Sequence, residues 1–348
     1  MNKKYHFHEV QILPQPTEIT SRSEVNLEVK YITKHSKRLI SGVPVCVANL
    51  DVTGTINMAS AVCKEDLFVA LHKYIPSERI LQYYRHGGTY NTFLTAGMGD
   101  DEWQRIADIY KVLFNRGNGE DLSIMLDVAN GYMYSFLDTI KRYREGFPKS
   151  IICAGNVCTP EGVENIIKAG ADIVKCGIAS GGVCDTKNKA GVGCPQFSVA
   201  QECGQTANEL EALCMSDGGV RTPADICKAL AAGSHFVMAG SLFAGYDECE
   251  GEWEYEGKTE KTVDDNLKCF MGKKRLRFYG MSSKAANDKY NGGLKEYRAS
   301  EGKETWVDYK GPVSNLVQDI KGSLASCCSY CNTSHLENLK KNARFVLV

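Results

Sequence analysis

The sequence has no excess of charge of either sign, and this absence already narrows the class of partner. Its 348 residues contain 41 Lys plus Arg and 42 Asp plus Glu, so there is no general positive field that would attract nucleic acid. No run approaches the roughly 18 apolar residues of a membrane span, and the N-terminal segment MNKKYHFHEVQILPQP lacks the apolar stretch of a secretory signal. We therefore expect a soluble cytoplasmic protein that binds a small molecule, and neither nucleic acid nor membrane.

Two familiar ligand-binding patterns are absent as well. There is no G-x-G-x-x-G fingerprint, so a nicotinamide cofactor would not be bound in the Rossmann manner. The 15 cysteines are scattered from Cys46 to Cys331, which suits neither a disulfide scaffold nor a secreted domain. Cys328 and Cys331 have the spacing of zinc ligands, but no second Cys or His pair stands at a matching distance. We expect most of the thiols to be reduced and buried.

A repeated pattern indicates the architecture. CTPEGVENIIKAGADIVKCGIASGG, from Cys158, and RTPADICKALAAGSHFVMAGSLFAG, from Arg221, lie 63 positions apart. In each copy a threonine can cap a helix that begins at the next proline, and a glycine can end that helix. The apolar run that follows is short and bounded by glycine, as in buried parallel strands. Each copy therefore predicts one helix leading into one strand of a parallel sheet.

Eight short apolar runs fit the strand of this unit, and helical patterns separate most of them. The runs are VPVCVAN, LFVAL, NTFLTA, LSIMLDV, SIICAG, DIVKCG, EALCMSD and SHFVMAG. Eight strands with interposed helices predict an α/β fold of the (β/α)8, or TIM, barrel type. We expect one barrel domain over residues 1–348 with N- and C-terminal extensions, and a mobile flap or hairpin inserted at 245–275, where the chain is first acidic and then basic.

The functional residues of such a barrel collect after the C-terminal ends of its strands. Polar side chains do follow strand after strand: Asn49, Asp51, His72, Lys73, Asp127, Asn130, Asn156, Asp217 and Ser241. Each of them alone is weak evidence, because loops are polar in any case. Their recurrence favours an active site at this end of the barrel.

The last two loops of the barrel, SDGGVRTP and AGSLFAG, stand where barrels often bind phosphate. Gly218, Gly219 and Gly240 would let backbone N–H groups approach an anion, and Ser216 and Ser241 would add hydroxyl donors. The alternative is that the glycines only form tight turns. We expect a phosphate site here, since both loops of the pair carry the same chemistry.

Cys184 lies near the middle of the loop after the sixth strand, GIASGGVCDTKNKAGVGCPQ. The residues around it are mostly glycine and polar residues, which cannot build an apolar core. A thiolate there would face whatever carries the phosphate, and Lys187 and Lys189 lie close enough in sequence to favour the thiolate over the thiol. Two interpretations stay open at this point: Cys184 is a catalytic nucleophile, or it is a spare thiol in a turn.

Five segments resemble the IMP dehydrogenase and GMP reductase family, and within it the reductase branch. They are GIASGGVCDTKNKAGVGCPQ, ICAGNV, MSDGG, FYGMSS and EYRASEGK, and they keep their order over nearly the whole chain. The chain has no length for the regulatory module that IMP dehydrogenases usually carry within the barrel. FYGMSS followed by EYRASEGK stands in place of the dehydrogenases' Arg-Tyr flap, as in the reductases.

The resemblance implies a covalent reductive deamination. Cys184 would attack C2 of the guanine of GMP and expel ammonia, and hydride from NADPH would then give IMP. Thr186 and Glu301 would be the proton-transfer pair that activates the leaving amine. The resemblance also implies a homotetramer and a monovalent cation, usually potassium, held by backbone carbonyls of the cysteine loop, at Ala179, Gly181, Cys184 and Lys187.

The binding residues are implied in the same way. With Ser216 of the phosphate loops, the GMP contacts are Asp217, Gly218, Gly219, Gly240, Ser241, Gly280, Met281, Ser282, Arg298, Ala299, Ser300, Glu301 and Gly302. The NADPH contacts within the subunit are Lys73, Asp127, Val128, Ala129, Ile178, Ala179, Met281, Tyr297 and Arg298. A neighbouring subunit would add Ser21, Arg22, Ser326, Cys327, Cys328 and Ser329.

The cysteine loop departs from the family pattern. Residues 179–182 read ASGG where the family has Gly-Pro-Gly-Ser, and Asp185 replaces a threonine. Losing proline and adding glycine raises the entropy of the loop, and a carboxylate beside Cys184 disfavours the thiolate, so we expect slower catalysis or an altered cation site. Two alternatives remain: an IMP dehydrogenase without its regulatory module, and an impaired barrel that binds purine nucleotides. From the residues alone, an FMN-dependent barrel oxidoreductase would also fit.

Overall fold

The structure is a computed structural model that describes residues 3–89, 91–114, 122–255, 258–259, 272–290, 292–296 and 299–348. Among these residues no helix combines the length and the apolar character that a membrane crossing needs. The N-terminal extension contains the strands β1 (Val10–Ile12), β2 (Val29–Ile32) and β3 (Leu39–Gly42). β2 and β3 pair antiparallel, and β1 pairs antiparallel with the last strand of the chain, Phe345–Leu347.

Eight parallel strands follow one another around a closed barrel. They are β4 (Val45–Val47), β5 (Phe68–Leu71), β6 (Thr92–Ala96), β7 (Ser123–Asp127), β8 (Ile151–Val157), β9 (Ile173–Cys176), β10 (Leu213–Asp217) and β11 (Phe236–Ala239). Each lies within one of the eight predicted runs or extends it by two residues at most. The predicted (β/α)8 barrel is therefore confirmed.

Helices connect the strands and surround the barrel. They are α1 (Ile56–Val62), α2 (Ser77–Arg85), α3 (Asp100–Phe114), α4 (Tyr134–Gly146), α5 (Pro160–Lys168), α6 (Thr186–Lys189), α7 (Gln196–Glu209), α8 (Pro223–Ala232), α9 (Lys284–Tyr290), α10 (Val313–Tyr330) and α11 (Leu339–Asn342). α10 packs against both α8 and α1, so it closes the ring of helices where the eighth helix of such a barrel belongs.

The sequence repeat is the pair of helices α5 and α8. Thr159 caps α5 by accepting a hydrogen bond from the Gly162 N–H at 3.3 Å, as predicted from its position before a proline. At the start of α8 the bond runs in the opposite sense, because the Thr222 N–H donates to the Asp225 carboxylate at 3.1 Å. After each helix the chain turns through a glycine of positive φ, which residues with a side chain rarely adopt.

The strands bury both faces, which explains their continuous apolar sequences. Ile173 and Met215 belong to the apolar cluster that fills the barrel interior, while Val174 faces the helices. Because alternate residues of a strand share a face, Lys175 and Asp217 point the same way as Ile173 and Met215. They lie nearer the carboxyl ends of the strands, where the interior changes from apolar to charged.

A four-stranded antiparallel sheet is inserted between β11 and α10. Its strands are β12 (Trp253–Tyr255), β13 (Lys258–Thr259), β14 (Lys273–Tyr279) and β15 (Glu304–Asp308), in the order β13–β12–β14–β15, and α9 lies between β14 and β15. The segment Phe345–Leu347 is β16. Within the predicted flap at 245–275, residues 253–255, 258–259 and 273–275 belong to this sheet, and residues 245–252 lead into it; positions 256–257 and 260–271 lie outside the described residues. We call residues 272–308, of which 291 and 297–298 are not described, the inserted segment.

Candidate active site

The structure brings Cys184, Thr186 and Glu301 into one hydrogen-bonded chain. Cys184 Sγ lies 3.3 Å from Thr186 Oγ1, and Thr186 Oγ1 donates to Glu301 Oε2 at 2.8 Å. A hydroxyl has a single proton, so the Thr186 oxygen that donates to Glu301 accepts from the Cys184 thiol. All three residues are half-buried. The arrangement can carry a proton from the thiol to the carboxylate.

Glu301 reaches the cysteine loop through a short antiparallel pairing. The Asp185 N–H donates to the Glu301 carbonyl at 2.6 Å, and the Lys303 N–H donates to the Val183 carbonyl at 2.7 Å. Gly280 allows the close approach to the cysteine loop, since a Cβ at that position would come 2.9 Å from the Val183 carbonyl oxygen. The inserted segment therefore completes a site that the barrel loops only begin.

Asp185, which we expected to oppose a thiolate at Cys184, has partners of its own. Asn188 Nδ2 donates to its Oδ1 at 2.6 Å, and Lys303 Nζ lies 3.3 Å from the same oxygen. The hydrogen bond from Asn188, with the bond and charge of Lys303, lowers the pKa of Asp185. The carboxylate next to the cysteine is thus ionised, and Lys303 offsets part of its charge.

Cys184 borders a cavity of about 250 Å³ at the carboxyl ends of the strands. Ten of the predicted GMP-binding residues line it: Asp217, Gly218, Gly219, Gly240, Ser241, Gly280, Met281, Ser282, Glu301 and Gly302. Ser300 is not among them and its hydroxyl bonds the Gly302 carbonyl at 3.3 Å, while Ala299 lines a second cavity. Arg298 lies outside the described residues.

Ser216 is a correction to the predicted phosphate site. Its side chain is fully buried, and its hydroxyl accepts from Gln196 Nε2 at 2.9 Å. The sequence could not show that a glutamine at the start of α7 would cover this hydroxyl. Ser216 therefore supports the β10 loop from beneath rather than facing the cavity.

The glycine loops have the geometry that we expected of an anion site. Gly218 and Gly219 have φ of +94° and +76°, a region that favours glycine. Among the described residues no acceptor takes the N–H of either one. The loops also converge, since a Cβ on Gly182 of the cysteine loop would come 3.7 Å from Ser241 Oγ. Backbone donors are thus available beside Cys184 for a phosphate.

A second cavity, of about 580 Å³, adjoins the first. Five of the predicted NADPH-binding residues line it, namely Lys73, Asp127, Val128, Ala129 and Met281, and all of these except Lys73 also line the first cavity. Ile178 and Ala179 line only the first, and Tyr297 lies outside the described residues. A ligand in the second cavity would therefore meet a ligand in the first near Glu301, which borders both.

Lys73 supplies a cation at the wall of the second cavity. Its Nζ donates to Glu102 Oε1 at 2.9 Å, and 37% of the side chain remains exposed. Burial alone would lower the pKa of Lys73, but the hydrogen bond and charge of Glu102 outweigh it and raise that pKa. Lys73 thus stays positive, as a contact to an anionic cofactor requires.

The residues expected to serve a neighbouring subunit lie together away from both cavities. Ser21 and Arg22 are exposed on a turn that packs against α10, and Arg22 borders the same surface depression as Ser326. Cys327 and Ser329 are half-buried. The Cys328 side chain faces the core from α10 and is fully buried, so the predicted contact of Cys328 with a neighbouring cofactor would be made by its backbone.

Lys175 is the residue that the sequence analysis missed. Its side chain is only 4% exposed, and its Nζ lies 2.6 Å from Asp127 Oδ1 and 2.8 Å from Asp217 Oδ2, at the floor of the first cavity. Burial alone would lower the pKa of Lys175, but the two carboxylates outweigh it and raise that pKa. The available signal was a lysine inside the otherwise apolar run DIVKCG, since lysine is almost never buried unless it is paired.

A closed (β/α)8 barrel whose loop cysteine, threonine and glutamate meet beside glycine-rich loops, at the carboxyl ends of the strands, has the architecture of a TIM-barrel enzyme. The family model described as IMP dehydrogenase / GMP reductase domain matches residues 4–348. The chain is 40% identical over 348 residues to a GMP reductase of Caenorhabditis elegans, covering 99% of this chain and 92% of that protein. It is 39% identical to GMP reductase 1 of Homo sapiens and to a GMP reductase of Yersinia pestis, over 99% of this chain and 95% of each relative. The chain belongs to the IMP dehydrogenase and GMP reductase family.

Proposed function

We propose that this enzyme converts GMP to IMP and ammonia through a covalent bond between Cys184 and the purine, with NADPH as the hydride donor. Reductive deamination of GMP is the reaction of the reductase branch, and the relatives that match nearly the full chain are named GMP reductases. The observation that carries the mechanism is the hydrogen-bonded chain from Cys184 through Thr186 to Glu301 beside the glycine loops.

The proton relay follows from the direction of those hydrogen bonds. The Cys184 thiol passes its proton through the Thr186 hydroxyl to Glu301 as Sγ adds to C2 of guanine. Glu301 returns the proton to the amine at C2, which leaves as ammonia and gives a thioimidate on Cys184. Hydride addition at C2 then releases the thiolate and IMP, so one GMP, one NADPH and one proton give IMP, NADP⁺ and ammonia.

NADPH supplies the hydride, and the second cavity is the place where the chain's residues fit it. Asp127, Val128, Ala129 and Met281 lie at the boundary of the two cavities, where a nicotinamide would face the purine, and Lys73 stands on the wall beyond. Met281, Ser282 and Glu301 line both cavities at this boundary and would help to exclude water before hydride arrives. We keep the homotetramer, with Ser21, Arg22 and Ser326 serving a neighbouring cofactor site, and the cytoplasmic location as parts of the proposal.

A monovalent cation, expected to be potassium, completes the proposal. Ala179, Gly181, Cys184 and Lys187 would offer backbone carbonyls from one loop. The Gly181 carbonyl accepts the Cys184 N–H at 3.1 Å, so a cation there would share that oxygen with the turn that presents the thiol. Such a cation would hold the cysteine loop in place and take no part in proton transfer.

A matrix of GMP and IMP with NADPH and NAD tests the reaction. We expect NADPH oxidation with GMP, matched mole for mole by ammonia, and little or no xanthosine monophosphate from IMP and NAD. Production of xanthosine monophosphate would establish the dehydrogenase instead. Tight binding of GMP without turnover in any combination would establish the impaired barrel.

A further inference from the structure

Lys175 lies between two carboxylates that come from different strands. It belongs to β9, whereas Asp127 ends β7 and Asp217 ends β10. Its Nζ bonds both, at 2.6 Å and 2.8 Å, and the ammonium is almost completely shielded from solvent. One charge therefore determines where two acidic side chains stand.

The two carboxylates differ in the cavities that they border. Asp217 lines the first cavity, with Cys184 and the glycine loops, and does not border the second. Asp127 stands at the boundary and lines both. If the cavities hold GMP and NADPH as proposed, Asp217 serves the nucleotide and Asp127 serves the cofactor.

Each carboxylate also has an amide partner of its own. Asn156 Nδ2 donates to Asp217 Oδ2 at 2.8 Å, and Asn49 Nδ2 donates to Asp127 Oδ2 at 3.0 Å. Lys175 bonds Asp217 through that same Oδ2, which leaves Oδ1 without a partner among the described residues. An oxygen held in this way accepts a hydrogen bond from a ligand hydroxyl or amide.

We infer that Lys175 is a positioning residue shared by both ligand sites, holding the nucleotide-side and cofactor-side carboxylates in their binding positions. The inference rests on the proposed function, because it assigns one ligand to each cavity. Two carboxylates this close repel each other and turn away or take up a proton unless a cation stands between them. Loss of the ammonium therefore weakens the binding of both ligands, whereas loss of either asparagine weakens mainly one.

Four variants separate this role from a general structural one: K175M, N156A, N49A and, as a matched control on an exposed helix face, K168M. The Michaelis constants for GMP and NADPH are measured for each. We expect K175M to raise both by roughly 10-fold or more, the scale of a lost charged hydrogen bond. N156A should raise mainly the constant for GMP; N49A, at a residue that borders both cavities, should raise mainly the constant for NADPH and that for GMP to a smaller degree; K168M should raise neither.

Chemical rescue adds a readout that a structural role would not move. In K175A the lost ammonium can be replaced by ethylamine or propylamine in the buffer, and activity should rise with the concentration of the amine and saturate. A K175M variant that changes the constant for one ligand only, or changes only kcat, overturns the inference. Failure of both amines to restore any activity to folded K175A counts against it as well.

Two further comparisons test the inference if the Lys175 variants do not fold or if the wild-type enzyme is inactive. If K175M and K175A do not fold, N49A and N156A test the inference, because both variants keep the Lys175 ammonium. If each of them raises the Michaelis constants for GMP and NADPH equally, the assignment of one ligand to each carboxylate is overturned. If the wild-type enzyme does not turn over GMP, the proposed function fails, and calorimetric titration with GMP and separately with NADP⁺ still measures the two affinities. Loss of both in K175M would then support the positioning role without the reaction.

Discussion

The two halves of the candidate active site are held in place by different means. The barrel half, with Cys184 and the glycine loops, follows directly from strands whose ladders fix their ends. The other half, Gly280–Gly302, stands on the antiparallel pairing of β14 with β15 and meets the barrel through loop contacts. The thiol belongs to the first half and its proton acceptor to the second. If Glu301 accepts the thiol proton as proposed, the reaction requires the inserted segment to be docked on the barrel.

A buried carboxylate of the barrel anchors the inserted segment. Asp51 Oδ2 accepts from Tyr279 OH at 2.7 Å, from Lys289 Nζ at 2.9 Å and from Tyr290 OH at 2.9 Å. Tyr290 also stacks on Tyr74 of the barrel, with ring centroids 3.8 Å apart. Three donors of the inserted segment thus converge on one barrel oxygen, just beside Gly280–Ser282 of the cavity.

The largest expected effect comes from the barrel half. Replacing Cys184 with alanine should abolish turnover, with a loss of roughly 10³-fold or more, because no other group can form the covalent intermediate. GMP should still bind, since the glycine loops are untouched. The control is C194A in the same loop, where burial raises the pKa of the thiol to about 11. If C184A stays active and C194A loses activity, Cys184 is not the nucleophile.

The matching change in the inserted segment is E301Q, which keeps the shape of the side chain and removes its titrating group. Ammonia release from GMP should fall by roughly 10²-fold, the scale of a lost general acid or base. Hydride exchange between IMP and the oxidised cofactor bypasses deamination and should suffer less. E304Q, three residues further on and paired with Arg277, should change neither rate. Equal loss of both reactions in E301Q would argue against a proton-transfer role.

The difference between the halves also explains what the sequence could predict. The barrel strands and the Cys184 loop were recognisable because apolar runs bounded by glycine are local patterns. Glu301 meets Thr186 across 115 positions, and only the family resemblance singled it out. The sequence does not indicate the role of Lys175 within an apolar strand, because its carboxylate partners belong to other strands. Ser216 was placed in the cavity because the covering Gln196 could not be foreseen.

The anchor itself is tested by D51N. The change keeps the size of the side chain but removes the charge that Lys289 bonds; because the Lys289 side chain is 48% exposed, we expect the loss to cost about 1.5–3 kcal/mol at most, the scale of a hydrogen bond to a charged group. We expect the inserted segment to undock before the barrel unfolds. Limited proteolysis should cut the inserted segment faster, and the Michaelis constant for GMP should rise through Met281 and Ser282. D288N, an exposed neighbour on α9, should change neither. Unfolding of the whole chain in one step with no prior cleavage would contradict a separable anchor.

A smaller effect is expected when a Cβ is added in the barrel half. At Gly219, where φ is +76°, an alanine Cβ would also stand 3.1 Å from the Gln196 Cβ. We expect G219A to raise the Michaelis constant for GMP by roughly 10-fold, as the loss of a charged hydrogen bond to phosphate would. G87A has a similar positive φ but open space around it, so it should cost stability without changing that constant. If G219A and G87A have the same Michaelis constant for GMP, the phosphate does not bind at the Gly219 loop.

The smallest expected effect comes from the opposite change, the removal of a Cβ in the cysteine loop. Ala179 has a φ of +62°, where a residue with a Cβ pays about 1–2 kcal/mol. A179G removes this strain but adds the entropy of an unfolded glycine, roughly 0.5–1 kcal/mol, so the variant should be more stable by up to about 1.5 kcal/mol. Thermal unfolding measures the difference, and A190G, at an αR position after α6, is the control that should only lose stability. Turnover should change little, because Asp185, Thr186 and Glu301 keep their bonds. A clear loss of stability in A179G would contradict a strained Ala179 and would show that this departure from the family's glycine stabilises the loop.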